Sequence, residues 1–136
     1  MTEVQKKQYL EQYRHLNQEI NWNIEKLAEW KSFAERVTAS YQFTSAGQQH
    51  HVDKIQHSYE KIEALSEQIN SQIDALINIR ADIEQHINRI PESTLRIILW
   101  ERYISKKTWD QIAEELHYCA KQVMRLHTKA LHELNI

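Results

Sequence analysis

The stretch Arg96 to Leu134, RIILWERYISKKTWDQIAEELHYCAKQVMRLHTKALHEL, decides the fold of this chain. Thr108 can cap the start of a helix, and Gln111, three residues later, can complete a capping box. His117 to Cys119 interrupt the pattern, and a second helix is predicted from Ala120 or the next residue. The buried side of this helix is predicted from positions spaced three and four apart, which are Val123, Leu126, His127, Ala130, Leu131 and Leu134. Two short helices joined by such a turn are typical of a helix-turn-helix, whose second helix enters the major groove of DNA.

The run from Thr108 to Leu134 resembles the promoter-reading part of region four of bacterial primary sigma factors. In that family a threonine-capped acidic helix, a tight turn and a helix that ends in K-A-L-x-x-L follow one another. The positions that match here are Thr108, Asp110, Glu114, Leu116, Val123, Lys129, Ala130, Leu131 and Leu134. Two positions depart from the pattern. His117 stands where the turn usually has glycine, and apolar Ala120 stands where the second helix usually begins with charged residues.

The whole chain is similar to ArpU-like regulators of phage and prophage late transcription, which have a helical hairpin before a sigma-like helix-turn-helix. The shared features are Tyr9 and Tyr13, the linker Val37 to Phe43, the Arg102 to Ile104 triplet, and Thr108-Trp109. The resemblance implies an all-α protein that regulates transcription by binding DNA.

Composition independently favours an all-helical protein. The 136 residues include one glycine and one proline, too few to punctuate a β or α/β fold. A hydrophobic content of 41% with 26% charged residues is typical of a globular chain and not of a disordered one. The longest apolar run, Ile97 to Trp100, is too short to span a bilayer, and the first residues have no apolar signal core, so we expect a cytoplasmic protein with no membrane partner. The resemblance to phage and prophage regulators implies that this is the cytoplasm of a host bacterial cell.

Two long helices are predicted before the helix-turn-helix. The first runs from a Thr2 and Gln5 capping box to about Val37, and its apolar stripe is predicted to be Leu16, Ile20, Ile24, Leu27, Ala34 and Val37. Residues 38–52 break the pattern and contain the only glycine, Gly47, so they are predicted to form a loop. The second helix is predicted to begin at Asp53 and to end at Pro91, which also starts the next helix.

A seven-residue repeat is the clearest periodicity in the second helix. Isoleucine or leucine recurs at every seventh residue, at Ile55, Ile62, Ile69, Leu76, Ile83 and Ile90. Such a repeat indicates a left-handed supercoil against a partner helix. The sequence therefore predicts an all-α fold with a long antiparallel coiled-coil hairpin at residues 1–90 and a small helix-turn-helix domain at residues 91–136. One partner helix leaves part of the wide stripes uncovered, so the hairpin is also predicted to form a homodimer or a higher homo-oligomer.

The outer face of the last helix supplies the candidate DNA contacts. Lys121, Gln122 and Arg125 lie near its start, where side chains reach base edges in helix-turn-helix complexes. Contacts to the DNA backbone are predicted for Thr128, Lys129, Lys106 and Lys107. The basic excess is small, because residues 120–136 carry three lysines and arginines against one acidic residue. Avidity from oligomerisation is therefore expected to supply part of the affinity.

Catalysis, metal binding and cofactors are not expected. His50, His51 and His57 match no zinc spacing, and Cys119, the one cysteine, is distant in sequence. No phosphate-binding glycine loop or nucleophile motif is present.

The leading hypothesis is a transcriptional regulator of phage or prophage origin that reads double-stranded DNA with residues 120–134 and oligomerises through the hairpin. One alternative is an assembly protein resembling a small terminase subunit, which marks DNA for packaging. Another is an interaction module that binds RNA polymerase or another protein without touching DNA.

Overall fold

A computed structural model of the chain describes residues 1–43 and 48–136, and all the regular structure in them is helical. The elements are α1 (Glu3–Phe43), α2 (Gln48–Asn88), α3 (Ser93–Leu99), a π-helical segment (Trp100–Ile104), α4 (Trp109–Leu116) and α5 (Ala120–Glu133). The predicted all-α fold, with two long helices that pair antiparallel before a group of short ones, is confirmed.

The long helices are longer than the sequence pattern predicts. The Thr2 and Gln5 capping box at the start of α1 is confirmed, since each side chain bonds the backbone N–H of the other residue. The predicted loop at residues 38–52 is wrong at both ends, because α1 continues to Phe43 and α2 already begins at Gln48. Residues 44–47, Gly47 among them, lie outside the described residues.

The predicted cap at Asp53 is also wrong. Asp53 lies inside α2, and its carboxylate accepts a hydrogen bond from the amide of Gln49 at 3.0 Å. On the α1 side, the hydroxyl of Thr38 donates to the carbonyl of Ala34 one turn earlier, at 2.8 Å. Polar residues with low helix propensity are thus accommodated by local side-chain bonds, which is why composition alone misplaced the helix ends.

One compact unit comprises residues 18–74, where parts of α1 and α2 pair antiparallel. A polar contact lies in their seam: Asn23, 5% exposed, donates to the side-chain oxygen of Gln72 at 2.9 Å. Neighbouring Ile24, predicted to be in the apolar stripe, is instead 46% exposed. A buried amide must keep its hydrogen bond, so this pair favours one register of the two helices over others.

The second compact unit comprises residues 1–17 and 75–136. Its larger hydrophobic core joins the start of α1 and the end of α2 to the short helices, through the buried residues Leu10, Tyr13, Ile83, Ile87, Ile90, Leu95, Leu99, Tyr103, Ile104, Ala130, Leu131 and Leu134. A smaller core beside it consists of Ile98, Ile112, Ala113 and Val123.

The seven-residue repeat of α2 is buried to different degrees along the helix. Ile69, Ile83 and Ile90 are buried, whereas Ile55, Ile62 and Leu76 are half-buried. The described residues contain no helix that is both long enough and apolar enough to cross a membrane.

The connection from α2 to α3 is held by one arginine. Arg96 donates from Nη1 to the carbonyls of Ile90 and Pro91, at 2.6 and 2.8 Å. Pro91 does not start α3, as the sequence suggested, because α3 begins two residues later with Glu92 as its extended cap. The guanidinium therefore satisfies two backbone carbonyls of the connection between α2 and α3.

Removal of the Leu10 side chain should destabilise the unit that contains the C-terminal helices. Leu10 is fully buried against that core, so Leu10→Ala is expected to lower the free energy of unfolding by about 2–5 kcal/mol, as for other large-to-small core changes. Urea denaturation measures the effect. Ile97→Ala, at a position 43% exposed, is the matched control and should change stability by less than about 1 kcal/mol.

The isolated fragment of residues 91–136 lacks Leu10, Tyr13, Ile83 and Ile87, which form one side of the core. It should therefore show no cooperative thermal transition by circular dichroism. A fragment that melts cooperatively near the temperature of the whole chain would contradict this dependence.

Candidate nucleic-acid interface

The start of α4 is fixed by a complete capping box. Thr108 has an extended backbone, and its hydroxyl accepts from the backbone N–H of Gln111 at 3.2 Å. The Gln111 side-chain oxygen accepts in turn from the Thr108 N–H at 2.9 Å. Two N–H groups that the first helical turn leaves unpaired are thereby satisfied, as the sequence predicts.

The turn after α4 depends on a left-handed residue. His117 has φ 59° and ψ 37°, the left-handed conformation that the motif requires at this position. The next N–H, of Tyr118, bonds the carbonyl of Ala113 at 3.0 Å, and extended Cys119 then caps α5. A residue other than glycine is disfavoured in this conformation, so the hydrogen bond that closes the turn must offset a free-energy cost at His117.

The inner face of α5 is buried at the positions the sequence predicts. Val123, Ala130 and Leu131 are fully buried, and Leu134, just after the helix, is 1% exposed. Ala113 of α4, 6% exposed, lies in the same small core as Val123 and lets the two helices approach closely. These contacts determine which side of α5 faces outward.

His127 is the one polar residue buried on that inner face. Its Nε2 lies 2.7 Å from the hydroxyl of Tyr103, and its ring packs edge-on against Trp109 at 4.6 Å between centroids. The guanidinium of Arg102 lies 4.3 Å from the centroid of the Trp109 ring and donates to the carbonyl of Lys107 at 3.1 Å. These residues connect the π-helical segment to both α4 and α5.

The environment keeps the Tyr103 and His127 side chains uncharged. Burial, and then the positive charges of Lys7 and Arg102, lower the pKa of His127 to about 4. Burial, followed by the negative charge of Glu11, raises the pKa of Tyr103 to about 12. At neutral pH the bond between them therefore joins two neutral groups, which avoids burying a charge.

The three predicted base-contacting residues lie together on the outside of α5. Lys121, Gln122 and Arg125 line one groove of about 510 Å³ with Cys119. Lys121 and Arg125 are exposed, and within residues 1–43 and 48–136 neither pairs with a carboxylate. A groove next to the start of the helix thus combines two available cations and one amide.

The four predicted backbone-contacting residues differ in how available they are. Thr128 and Lys129 are exposed on α5 next to Arg125, although the Lys129 ammonium lies 3.1 Å from the carboxylate of Glu92. Lys106 and Lys107 precede α4. Lys106 has a left-handed backbone and lies 5.9 Å from the centroid of the Tyr13 ring.

The Lys107 ammonium is occupied by two acidic residues. It forms ion pairs with Glu101 and, at 2.5 Å, with Glu115. The hydrogen bonds to these carboxylates raise the pKa of Lys107. A phosphate would have to displace both carboxylates before it could bind this lysine, so of the four it is the least available.

The beginning of α1 lies next to α5, which the sequence does not predict. The Lys6 ammonium donates to the carbonyls of Leu131 and His132 in the last turn of α5, at 2.9 and 3.5 Å. The Leu131 carbonyl also accepts from the N–H of Leu134 at 3.3 Å, and a cation at the last turn interacts favourably with the helix dipole. Met1 and Glu3 line a cleft with residues of α5, which are Arg125, Thr128, Lys129, Leu131 and His132.

Two apolar side chains on the outside of the helix-turn-helix were not predicted as part of the candidate surface. Met124, 50% exposed, and Tyr118, 38% exposed, flank the groove residues in sequence. The helical pattern of buried positions excludes Met124 from the inner face, which is the sequence signal that could have identified it. Among the described residues, no three His, Cys, Asp or Glu side chains are grouped as metal ligands would be.

One family profile matches most of the chain. DUF1492, described as a protein of unknown function, matches residues 36–135. No curated protein and no solved structure matches the chain significantly.

The stability of the protein should fall between about pH 6.5 and pH 4. The pKa of His127 is about 4 in the folded chain and near 6.5 when unfolded, so over this interval the unfolded chain binds more protons. The stability is fully present above pH 6.5 and is lost as the pH falls toward 4. At 1.36 kcal/mol for each pKa unit, the loss is about 3 kcal/mol at most.

Urea denaturation at pH 7.5, 5.5 and 4.5 tests this dependence. His127→Gln, which keeps a hydrogen-bonding group near Tyr103, should reduce the slope of stability against pH. His132→Gln, at an exposed position, is the control and should keep the slope of the unchanged protein. Equal slopes in all three proteins would show that His127 is not the titrating group.

Proposed function

Because the chain belongs to DUF1492, a family described as proteins of unknown function, we propose a function from the geometry of its own helices. The protein binds double-stranded DNA with α4 and α5 acting as a helix-turn-helix. It serves as a transcriptional regulator of phage or prophage origin, and it oligomerises through α1 and α2.

The outer face of α5 carries this proposal. Lys121, Gln122 and Arg125 share a groove at the start of the helix, opposite the face that packs on the core. Residues four apart lie on one side of a helix, so Lys121 and Arg125 project in the same direction. Exposed cations that form no ion pair within the described residues are available to an anionic partner.

The chemistry of these side chains suits base recognition in the major groove. Lysine and arginine donate to the O6 and N7 atoms of guanine, and a glutamine amide pairs with N6 and N7 of adenine. Thr128 and Lys129, farther along α5, are suited to phosphate contacts that position the helix without reading sequence.

The phage and transcription context comes from the resemblance to ArpU-like regulators and to region four of sigma factors. The local features on which the sigma-like resemblance depends are present as a Thr108-capped α4, a three-residue turn and α5. These features support a helix-turn-helix interpretation of the segment, and the regulatory role is proposed from the resemblance. The segment Val37 to Phe43, taken as a linker in the ArpU-like resemblance, is instead part of α1.

A protein partner is the second candidate function. Met124 and Tyr118 expose apolar surface beside the same groove, and apolar side chains of this kind are common in protein interfaces. RNA polymerase is the partner that the sigma-like resemblance suggests.

Selection of bound sequences from a random pool of double-stranded DNA, at a stated salt concentration, tests the proposal. We expect enrichment of a defined motif and a binding constant that falls as salt increases. Absence of DNA binding even at low salt would reject the proposal and would favour the protein-partner function.

Arg125→Ala and Lys129→Ala should have different effects on DNA binding. Loss of a bidentate base contact at Arg125 should cost about 1–3 kcal/mol and relax the preference at one base pair. Loss of Lys129 should weaken all sequences alike and reduce the salt slope by about one unit.

Fluorescence anisotropy with matched and mismatched duplexes measures both effects. Lys61→Ala, an exposed lysine on α2, is the control and should leave affinity unchanged. If both α5 variants weakened all sequences equally, Arg125 would be a backbone contact and not a base contact.

A further inference from the structure

An uncovered apolar stripe on α2 has the symmetry of a contact between two identical helices. The stripe runs beside the repeat that pairs with α1, and it also recurs at every seventh residue. Its members are Val52, Tyr59, Ser66, Ile73, Arg80 and Ile87. Seven-residue spacing keeps them on one side of a supercoiled helix.

The stripe is buried at one end of α2, and its other apolar members, Val52, Tyr59 and Ile73, are exposed. Ser66 is half-buried, and the guanidinium of Arg80 lies over the Trp100 ring. Ile87 is 2% exposed and belongs to the larger hydrophobic core, with Leu10 and Leu95. By contrast, Val52 is 42%, Tyr59 58% and Ile73 37% exposed. The same surface of α2 that is covered within the chain at Ile87 therefore lacks cover at the residues of the 18–74 unit.

The 18–74 unit has a groove next to this exposed part. Tyr59 and Ile62 of α2 form one side of a groove of about 440 Å³. The facing part of α1 contributes the small side chains of Ala34, Thr38 and Ala39, together with the charged Lys31 and Glu35. Both hydrophobic core clusters of the described chain lie in the other unit, so the 18–74 unit buries little apolar surface by itself.

We propose that a second copy of this chain covers the stripe, with the two α2 helices antiparallel and the two-fold axis at Ser66. The inference rests on the oligomerisation included in the proposed function, and it assigns the partner, the residues and the orientation.

The spacing of large and small side chains matches a two-fold axis at Ser66. Tyr59 lies seven residues before Ser66 and Ile73 lies seven residues after it. In the antiparallel arrangement each Tyr59 faces Ile73 of the other copy, and two small serines meet at the axis. A large ring is thus placed against a medium-sized side chain, and the helices can approach closely at the centre.

The residues that flank the stripe favour antiparallel over parallel pairing. Ile62 and Ile69 lie on one flank, and Glu63 and Asn70 lie on the other. A two-fold axis perpendicular to the helices brings each flank against the same flank of the other copy. The apolar flanks then lie next to each other beside the seam with α1, in which Ile69 is already buried. Each Glu63 carboxylate can accept a hydrogen bond from Asn70 of the other copy. A parallel pair would place the apolar flank of one helix against the polar flank of the other.

The molecular mass in solution tests whether two copies of the chain associate. Sedimentation equilibrium without DNA should give twice the 16.4 kDa of one chain at micromolar concentration. Tyr59→Glu should weaken the dimer at least tenfold. Trp22→Glu is the matched control, because Trp22 is an equally exposed aromatic residue, 64% exposed, outside the stripe.

Cross-linking tests the position of the axis, and the Ser66→Cys variant leaves the apolar residues of the stripe unchanged. In a Cys119→Ser background, a short bis-maleimide should link Ser66→Cys to its own copy. Tyr59→Cys and Ile73→Cys should not link to themselves, because each lies about 10 Å along the helix from the axis and therefore about 20 Å from its equivalent. A mixture of these two variants should link.

The possible outcomes separate this inference from the proposed DNA binding. A monomer, a ring of many copies, or a dimer lost with Trp22→Glu but kept with Tyr59→Glu would overturn the inference. Self-linking of Tyr59→Cys would overturn the antiparallel orientation. A dimer linked at Ser66 that binds no DNA would reject the proposed function and leave this interface standing.

Discussion

The packing of α5 against the first turns of α1 and the last turns of α2 is the contact on which the rest of the structure depends. Leu131 and Leu134 enter the same core as Leu10 and Ile83, so the inner face of α5 is defined by residues from both ends of the chain. Because that face is packed in the core, the side chains of Lys121 and Arg125 lie on the opposite, exposed side of α5. The orientation of the candidate DNA surface is therefore a consequence of hydrophobic burial, and the charges contribute little to setting it.

Local geometry was predictable because it is encoded within a few residues. The capping box of Thr108 and Gln111 and the left-handed turn at His117 depend on neighbours within four residues. The buried positions of α5 follow a spacing of three and four residues within the helix itself. The boundaries of the long helices were predicted less well. Residues such as Thr38 resemble a loop in composition, yet they continue α1 with a side-chain bond to the preceding turn. The sequence pattern places Ile24 in the seam, where the structure has Asn23. This position was not predictable because the bond between Asn23 and Gln72 links residues 49 apart in the sequence.

The basic residues show most clearly what a sequence pattern leaves out. All lysines and arginines carry the same charge, but the fold separates those that bond to groups of the protein from those that remain available to a partner. Lys6 bonds the end of α5, Arg96 ties the turn at Pro91, and Lys107 is held between two carboxylates. Lys121 and Arg125 form no ion pair within the part of the chain that the structure describes. Of seven candidate DNA contacts, the fold thus ranks Lys107 lowest, and the separation rests on contacts between residues distant in sequence.

The larger unit is discontinuous, since it combines residues 1–17 with residues 75–136. During synthesis on the ribosome, Leu10 and Tyr13 emerge more than a hundred residues before Leu131, their partner in the core. Closing so long a loop is slow and entropically costly, so the core around these side chains is completed only after α5 has been made. The 18–74 unit lies wholly inside that interval and can pair its helices first. Each nascent chain can therefore form the helix pair proposed to dimerise before it completes the surface proposed to read DNA.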